Sequence, residues 1–334
     1  MTKFIFRAQK QEGSSVGRIF LFLFGAILVA VVVAYVGVWL FSHLGGRAGD
    51  AALGDYNKAQ TLYTQGDLNG ARELLRSAAP YLKSAPAAPQ VLMLQAAIEA
   101  KLGNPQESLT LQERAVKEYP KSPDYPIAAI KYAEALESVN RFDEATALYE
   151  QLRNSAPPEF RAAALVGLGK KLVREKKPGD ARDLFRQAMT DAPWDSETWN
   201  AALDEMGNVN VTLIFSPEQT ADSKTYAVSK GDNLTNIGIK LNTTQGLLLR
   251  ANGLAETKQL SLGQQLKYTP KDFRVVIERS KCRLFLYEKD GLFKRYYVGL
   301  GMPGHETVLG KYTIGNKQKD PVWHKPGAGP VAAG

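Results

Sequence analysis

Tyr226–Pro270 reads YAVSKGDNLTNIGIKLNTTQGLLLRANGLAETKQLSLGQQLKYTP, and its punctuation sets out two short strands around two short helices. Tyr226–Val228 alternates as a strand does, and the Gly231-Asp232-Asn233-Leu234 turn that follows supplies an Asp and an Asn able to cap a helix start. Leu234, Ile237 and Leu241 recur at three- and four-residue steps. Asn242 suits the left-handed residue that ends a helix, and Thr243-Thr244 can cap the next one. Leu247, Leu248 and Ala251 give that second helix its apolar face. Beyond Asn252-Gly253 a loop leads to Gly263-Gln264 and a final alternating run, Leu266–Tyr268, stopped by Pro270.

The ordered set YAVSKGDNL, Asn252 with Leu254, and LxxGQxLxxxP resembles a LysM module over residues 225–270. The sequence departs from the family's usual Thr at Asn233, Ala at Gly238 and Gly at Asn242. The resemblance implies a βααβ fold that binds N-acetylglucosamine-containing glycans, with peptidoglycan as partner. It also implies a shallow binding surface made by Gly231, Asp232, Asn233 and Leu234 in the first loop and by Gly253, Leu254 and Ala255 in the second. The backbone of these loops would hydrogen-bond acetamide groups.

Working outward, the chain of 334 residues has room for several domains. Its single cysteine, Cys282, excludes an intramolecular disulfide framework and any cysteine-ligated metal cluster. The formal charge of +8 is unevenly spread: from Ala221 onward 18 basic and 9 acidic residues give +9, residues 19–220 carry 20 and 24, and residues 1–18 carry 4 and 1. A basic carboxyl-terminal half suits a polyanionic wall. Nucleic acid is not expected as a partner, because the aromatic-basic and finger motifs that read it are missing.

Residues 1–18 read as a basic cytoplasmic tail with Lys3, Arg7, Lys10 and Arg18. Residues 19–41, IFLFLFGAILVAVVVAYVGVWLF, form an uncharged run of 23 residues, long enough for a transmembrane helix and for membrane partnership. With the positive-inside rule, this run predicts a single-pass protein of the inner or cytoplasmic membrane, its amino terminus cytoplasmic and its later domains in the periplasm or wall space.

Residues 53–206 repeat. GDLNGARELLRSAA returns as GNPQESLTLQERAV, NRFDEATALYEQLR and KKPGDARDLFRQAM, with Ala71, Ser108, Ala145 and Ala181 spaced by 37, 37 and 36. Seven residues beyond each lie Ala78, Ala115, Leu152 and Ala188, and Pro120, Pro157 and Pro193 close the later units. The arrangement resembles tetratricopeptide repeats, an all-α solenoid with a protein partner in its groove or a role as a spacer. Trp194, Trp199, Ala202 and Met206 suggest a capping helix, and residues 207–224 a linker containing the apolar run Val211–Phe215.

Past Pro270, FRVVIERS and CRLFLYEKDGLFKRYYVGLG read as strands, the last two joined at Lys289-Asp290-Gly291. Leu284–Tyr287, Val298-Gly299, Pro303-Gly304 and Thr307–Ile314 are similar to the first half of an L,D-transpeptidase domain of the YkuD type, with Val308 and Tyr312 departing from the family's TPxGxFxI. That family cross-links peptidoglycan stems through a cysteine acyl-enzyme, and its HG and SxGCxR motifs are absent from residues 1–334. Residues 273–334 are therefore expected to be a truncated, incomplete all-β segment with no catalytic residue. Cys282 reads as an ordinary strand residue, His305 and His324 as loop residues and His43 as a membrane-boundary residue.

The sequence thus predicts a multidomain chain with no metal site and no cofactor: transmembrane helix, solenoid, small α+β LysM module and partial β domain. Its expected role is peptidoglycan binding, with L,D-transpeptidation in a complete form. A non-enzymatic wall-binding scaffold or adaptor is the alternative.

Overall fold

The computed structural model describes residues 47–331 apart from 222, 257–258, 290, 302–303, 305, 316–322 and 325–329. The expected transmembrane run, residues 19–41, and His43 and His305 lie outside the described residues. Among those described, no helix is long and apolar enough to cross a membrane. The two helices of at least 18 residues are Arg47–Gln65 and Glu197–Ile214. The first carries Asp50, Asp55 and Lys58 and the second Asp204 and Glu205, charges that are costly in hydrocarbon. The localisation as a single-pass membrane protein, and the membrane as a partner, are corrected on this finding.

Of the described residues, those up to Ala202 form one unit and those from Leu203 onward a second. The first holds four helical hairpins: α1 (Arg47–Gln65) with α2 (Leu68–Leu82), α3 (Ala88–Lys101) with α4 (Pro105–Glu118), α5 (Tyr125–Ser138) with α6 (Phe142–Ser155), and α7 (Pro158–Arg174) with α8 (Pro178–Asp191). The repeat is visible in its turns. Gly66, Gly103, Asn140 and Lys176, the first residue of each repeated fragment, all adopt positive φ. The next amide reaches back to the same carbonyl each time: Asp67 to Leu62, Asn104 to Glu99, Arg141 to Leu136 and Lys177 to Leu172, at 2.8–2.9 Å. These bonds satisfy carbonyls that the end of a helix would otherwise leave open. Ala71, Ser108, Ala145 and Ala181 are buried, as are Ala78, Ala115, Leu152 and Ala188, so small side chains sit where paired helices approach. Pro120, Pro157 and Pro193 each fall two residues past a helix end.

The boundary between the units falls within α9 (Glu197–Ile214). Its length differs from the reading of 207–224 as a linker, because Val211–Ile214 complete its last turn. Trp199, Ala202 and Met206 are buried in α9, whereas Trp194 precedes it, 67% exposed and tilted at 54° against Trp199 with ring centroids 4.2 Å apart.

In the second unit, β1 (Lys224–Ala227) pairs antiparallel with β2 (Gln265–Tyr268), and α10 (Leu234–Lys240) and α11 (Gln245–Ala251) lie between them in sequence. Val228, Leu234, Ile237, Leu248, Leu249 and Leu266 make the core. Leu249, not Leu247, completes the buried face of α11: it follows Leu248 on the inward side while Leu247 is only partly covered. Asn242 takes the left-handed stop at φ 49°. Gly238 is buried in α10, and a Cβ there would meet Thr243 O at 3.5 Å and Gln245 N at 3.6 Å, ordinary contact distances. Gly238→Ala is therefore expected to stabilise this module by about 1 kcal/mol, the helix-propensity difference; an unchanged or lowered urea midpoint would contradict it.

The strands β3 (Phe273–Glu278), β4 (Arg283–Glu288) and β5 (Gly291–Tyr297) form an antiparallel meander, and β6 (Trp323–His324) pairs with β7 (Pro330–Val331). Between β4 and β5 the register shifts: Leu286 faces Lys294, but Tyr287 faces Leu292. The bulged residue, Phe293, is stranded without a ladder partner. Its carbonyl is taken by buried Asn210 of α9 at 2.8 Å. Alongside, buried Arg295 makes a two-pronged pair with Asp204, and Lys294 donates to Asn208 at 2.8 Å. Gly207 lets β5 lie this close, since a Cβ there would sit 2.7 Å from Lys294 Cγ and 3.2 Å from its Cα. The carboxyl-terminal half of α9 is thus a structural part of the second unit.

Candidate functional site

Both connections of the βααβ module leave the same end of its ribbon, because Ala227, the last residue of β1, pairs with Gln265, the first of β2. Val228 N donates to Gln264 O and Gly263 N to Val228 O at 2.9 and 2.8 Å, joining the two exits. The first loop is braced from within. Asp232 accepts from Ser229 N and from Tyr226 Oη, each at 2.7 Å, and Tyr226 Oη accepts from Lys240 Nζ at 2.8 Å. The Ser229 amide, then the Tyr226 hydroxyl, hold the Asp232 carboxyl below the usual carboxylate range; the Tyr226 contact raises Lys240. Asp232 is therefore a turn brace, and Asn233 alone caps α10, accepting from Asn236 N at 2.9 Å.

The second loop hangs from Asn252. Its amide donates to Leu248 O and Lys267 O at 2.8 and 2.9 Å, and its carbonyl oxygen accepts from Lys267 N at 2.8 Å. Gly231 and Gly253 are exposed at φ 87° and 59°, presenting backbone without side chains. Ala255 is exposed too, whereas Leu234 is buried and Leu254 partly buried against the core. The side chains of Leu234 and Leu254 thus belong to the core of the module. Sequence reading passes over the bracing roles of Tyr226, Lys240 and Asn252. Only the Asn252–Leu254 pattern hints at them, since the partners lie on other elements.

Cys282 differs from the strand residue read from sequence. It closes a 3₁₀ turn (Arg279–Lys281) at φ 48°, exposed, with Sγ 3.9 Å from Arg279 O. The left-handed turn places it one residue before β4, outside the ladder. No group of His, Cys, Asp or Glu able to hold a metal ion occurs among the described residues. In the helical unit a crevice of about 650 Å³ is lined by Arg72, Arg76, Gln95, Asn104 and Gln106 around buried Glu99, which Arg72 and Asn104 bind at 2.8 and 2.7 Å.

Family models match three stretches: Tetratricopeptide repeat at residues 56–123 and 130–196, LysM domain at 226–269, and L,D-transpeptidase catalytic domain at 272–332. A Bacillus licheniformis protein bearing the name L,D-transpeptidase YkuD is 30% identical over 102 residues, 29% of this chain. The chain spans 62% of that relative's length. Among solved structures, MamA of Desulfovibrio magneticus RS-1 aligns at TM-score 0.40 and 19% identity over 50% of this chain and 86% of that one. The quorum sensor NprR of B. thuringiensis aligns at 0.44 and 13% over 59% and 66%. Along the chain the family matches run in the order read from the sequence: helical repeats, LysM domain, L,D-transpeptidase catalytic domain.

Proposed function

We propose that this is a peptidoglycan-binding protein whose LysM module holds glycan strands for L,D-transpeptidation of the attached stem peptides. The observation that carries the binding reading is the pair of exposed left-handed glycines, Gly231 and Gly253, in two loops braced by Asp232 and Asn252. Backbone amides fixed in advance can meet acetamide groups without an ordering cost. The excess of basic residues from Ala221 onward suits an acidic wall polymer. The helical repeats would hold a partner protein or act as a spacer.

The reaction proposed is acyl transfer from a donor stem to an acceptor amine through a cysteine acyl-enzyme. Such a thiol needs a base and an oxyanion site beside it. Cys282 is not proposed as that thiol, given its exposed left-handed turn, and residues 1–334 contain neither HG nor SxGCxR. The chemistry is accordingly proposed for a chain that supplies those motifs. The placement of Cys282 favours a second reading for residues 1–334 themselves, a wall-binding scaffold without chemistry.

Sedimentation of the full chain with purified peptidoglycan tests the binding role. Co-sedimentation is expected, competed by N-acetylglucosamine oligomers. No binding at low salt would overturn it. Cys282→Ser is expected to leave binding unchanged.

A further inference from the structure

We propose that Phe215–Glu218, the segment between α9 and β1, forms an additional wall of the glycan-binding surface and takes the apolar face of a pyranose adjoining the one held at Gly253. The inference rests on the glycan reading above and extends it to residues outside the βααβ module.

The segment is fastened to the strand that fixes the second loop. Lys267 of β2 is buried, and its ammonium donates to the carbonyls of Leu213 at 2.7 Å, Ser216 at 3.1 Å and Glu218. The backbone of the same lysine is held by Asn252, the residue immediately before Gly253. One residue therefore ties both chain segments together, and Pro217 comes to rest against the loop: a Cβ built on Gly253 would lie 3.6 Å from Pro217 Cγ.

Beside this contact the Phe215 ring is 39% exposed, with the Arg250 guanidinium 3.8 Å from its centroid. An aromatic ring and a proline two residues apart on one fastened segment offer apolar surface onto which the C–H face of a sugar can stack. The Arg250 guanidinium covers one face of the ring, so the sugar is expected to stack on the opposite face. Because Lys267 holds the backbone of the segment, the wall is fixed before the ligand arrives, which spares the ordering cost of a free linker.

The test measures binding of an N-acetylglucosamine hexamer to the full chain by calorimetry, with peptidoglycan sedimentation alongside. Phe215→Ala and Pro217→Ala are each expected to weaken hexamer binding about fivefold, while Phe215→Tyr, which keeps the ring, binds as the parent does. Thermal unfolding of each variant reports whether the fold persists, and the tyrosine variant separates loss of the ring from loss of the fold. Parent-like affinity in both alanine variants would overturn the wall and leave the glycan reading standing. If the parent chain binds neither hexamer nor peptidoglycan, the glycan reading falls and the wall falls with it.

Discussion

Lys267→Met is expected to destabilise the carboxyl-terminal unit by about 3 kcal/mol, since a buried carbonyl left without its donor costs about 1–3 kcal/mol. A lysine ammonium has three donors, and here three backbone carbonyls receive them: Leu213 in the last turn of α9, then Ser216 and Glu218. The Leu213 carbonyl belongs to a helix end, where intrahelical partners run out and a cation is favoured. Methionine keeps much of the side-chain volume but donates nothing, so carbonyls taken from water would lose their ammonium. Urea unfolding followed by proteolysis between residues 213 and 224 checks this. Loss of the carboxyl-terminal transition with early cleavage is expected, and a midpoint within about 0.5 kcal/mol of the parent would refute the role assigned to Lys267.

The double substitution Gly167→Ala with Gly169→Ala is expected to destabilise the helical unit by about 3 kcal/mol. Propensity alone predicts the reverse, since Ala gains about 1 kcal/mol over Gly inside a helix such as α7. Packing decides the sign. A Cβ at Gly167 would lie 2.3 Å from Tyr149 Cε2, and one at Gly169 would lie 2.4 Å from Phe185 Cε1. Both rings are buried, and overpacking a filled site costs about 1–3 kcal/mol or more. Calorimetry should show the solenoid melting earlier while the transition of the βααβ module is unchanged. A higher melting temperature would mean that the rings yield freely. The contrast with Gly238 is one of surroundings: there the added methyl meets atoms at contact distance and the propensity gain survives.

The elements most legible in the sequence are those with local causes. The spacing of Ala71, Ser108, Ala145 and Ala181 located the helix contacts, because the same steric need recurs in each repeat. Asn233, Asn242 and Thr244 marked the ends of α10 and α11, because a cap is chosen by the few residues around it. Leu249 was passed over for Leu247: adjacent leucines on a seven-residue helix have no period long enough to rank them. Cys282 misled for a similar reason, since a strand pattern begins one residue later and composition does not show where φ turns positive. For the candidate site, the loops were legible and the braces were not.

By itself the sequence determined the order of modules, the period of the repeats and the two glycine-bearing loops, since turns, caps and hydrophobic periods act over a few residues. Only the tertiary structure decided that α9 enters the carboxyl-terminal unit and that Phe215–Glu218 borders the Gly253 loop. Those outcomes rest on Asp204 meeting Arg295 across 91 positions, Asn210 meeting Phe293 across 83 and Leu213 meeting Lys267 across 54. A buried charge or a stranded carbonyl must find its partner wherever the fold brings one, and no local pattern records which distant residue that is.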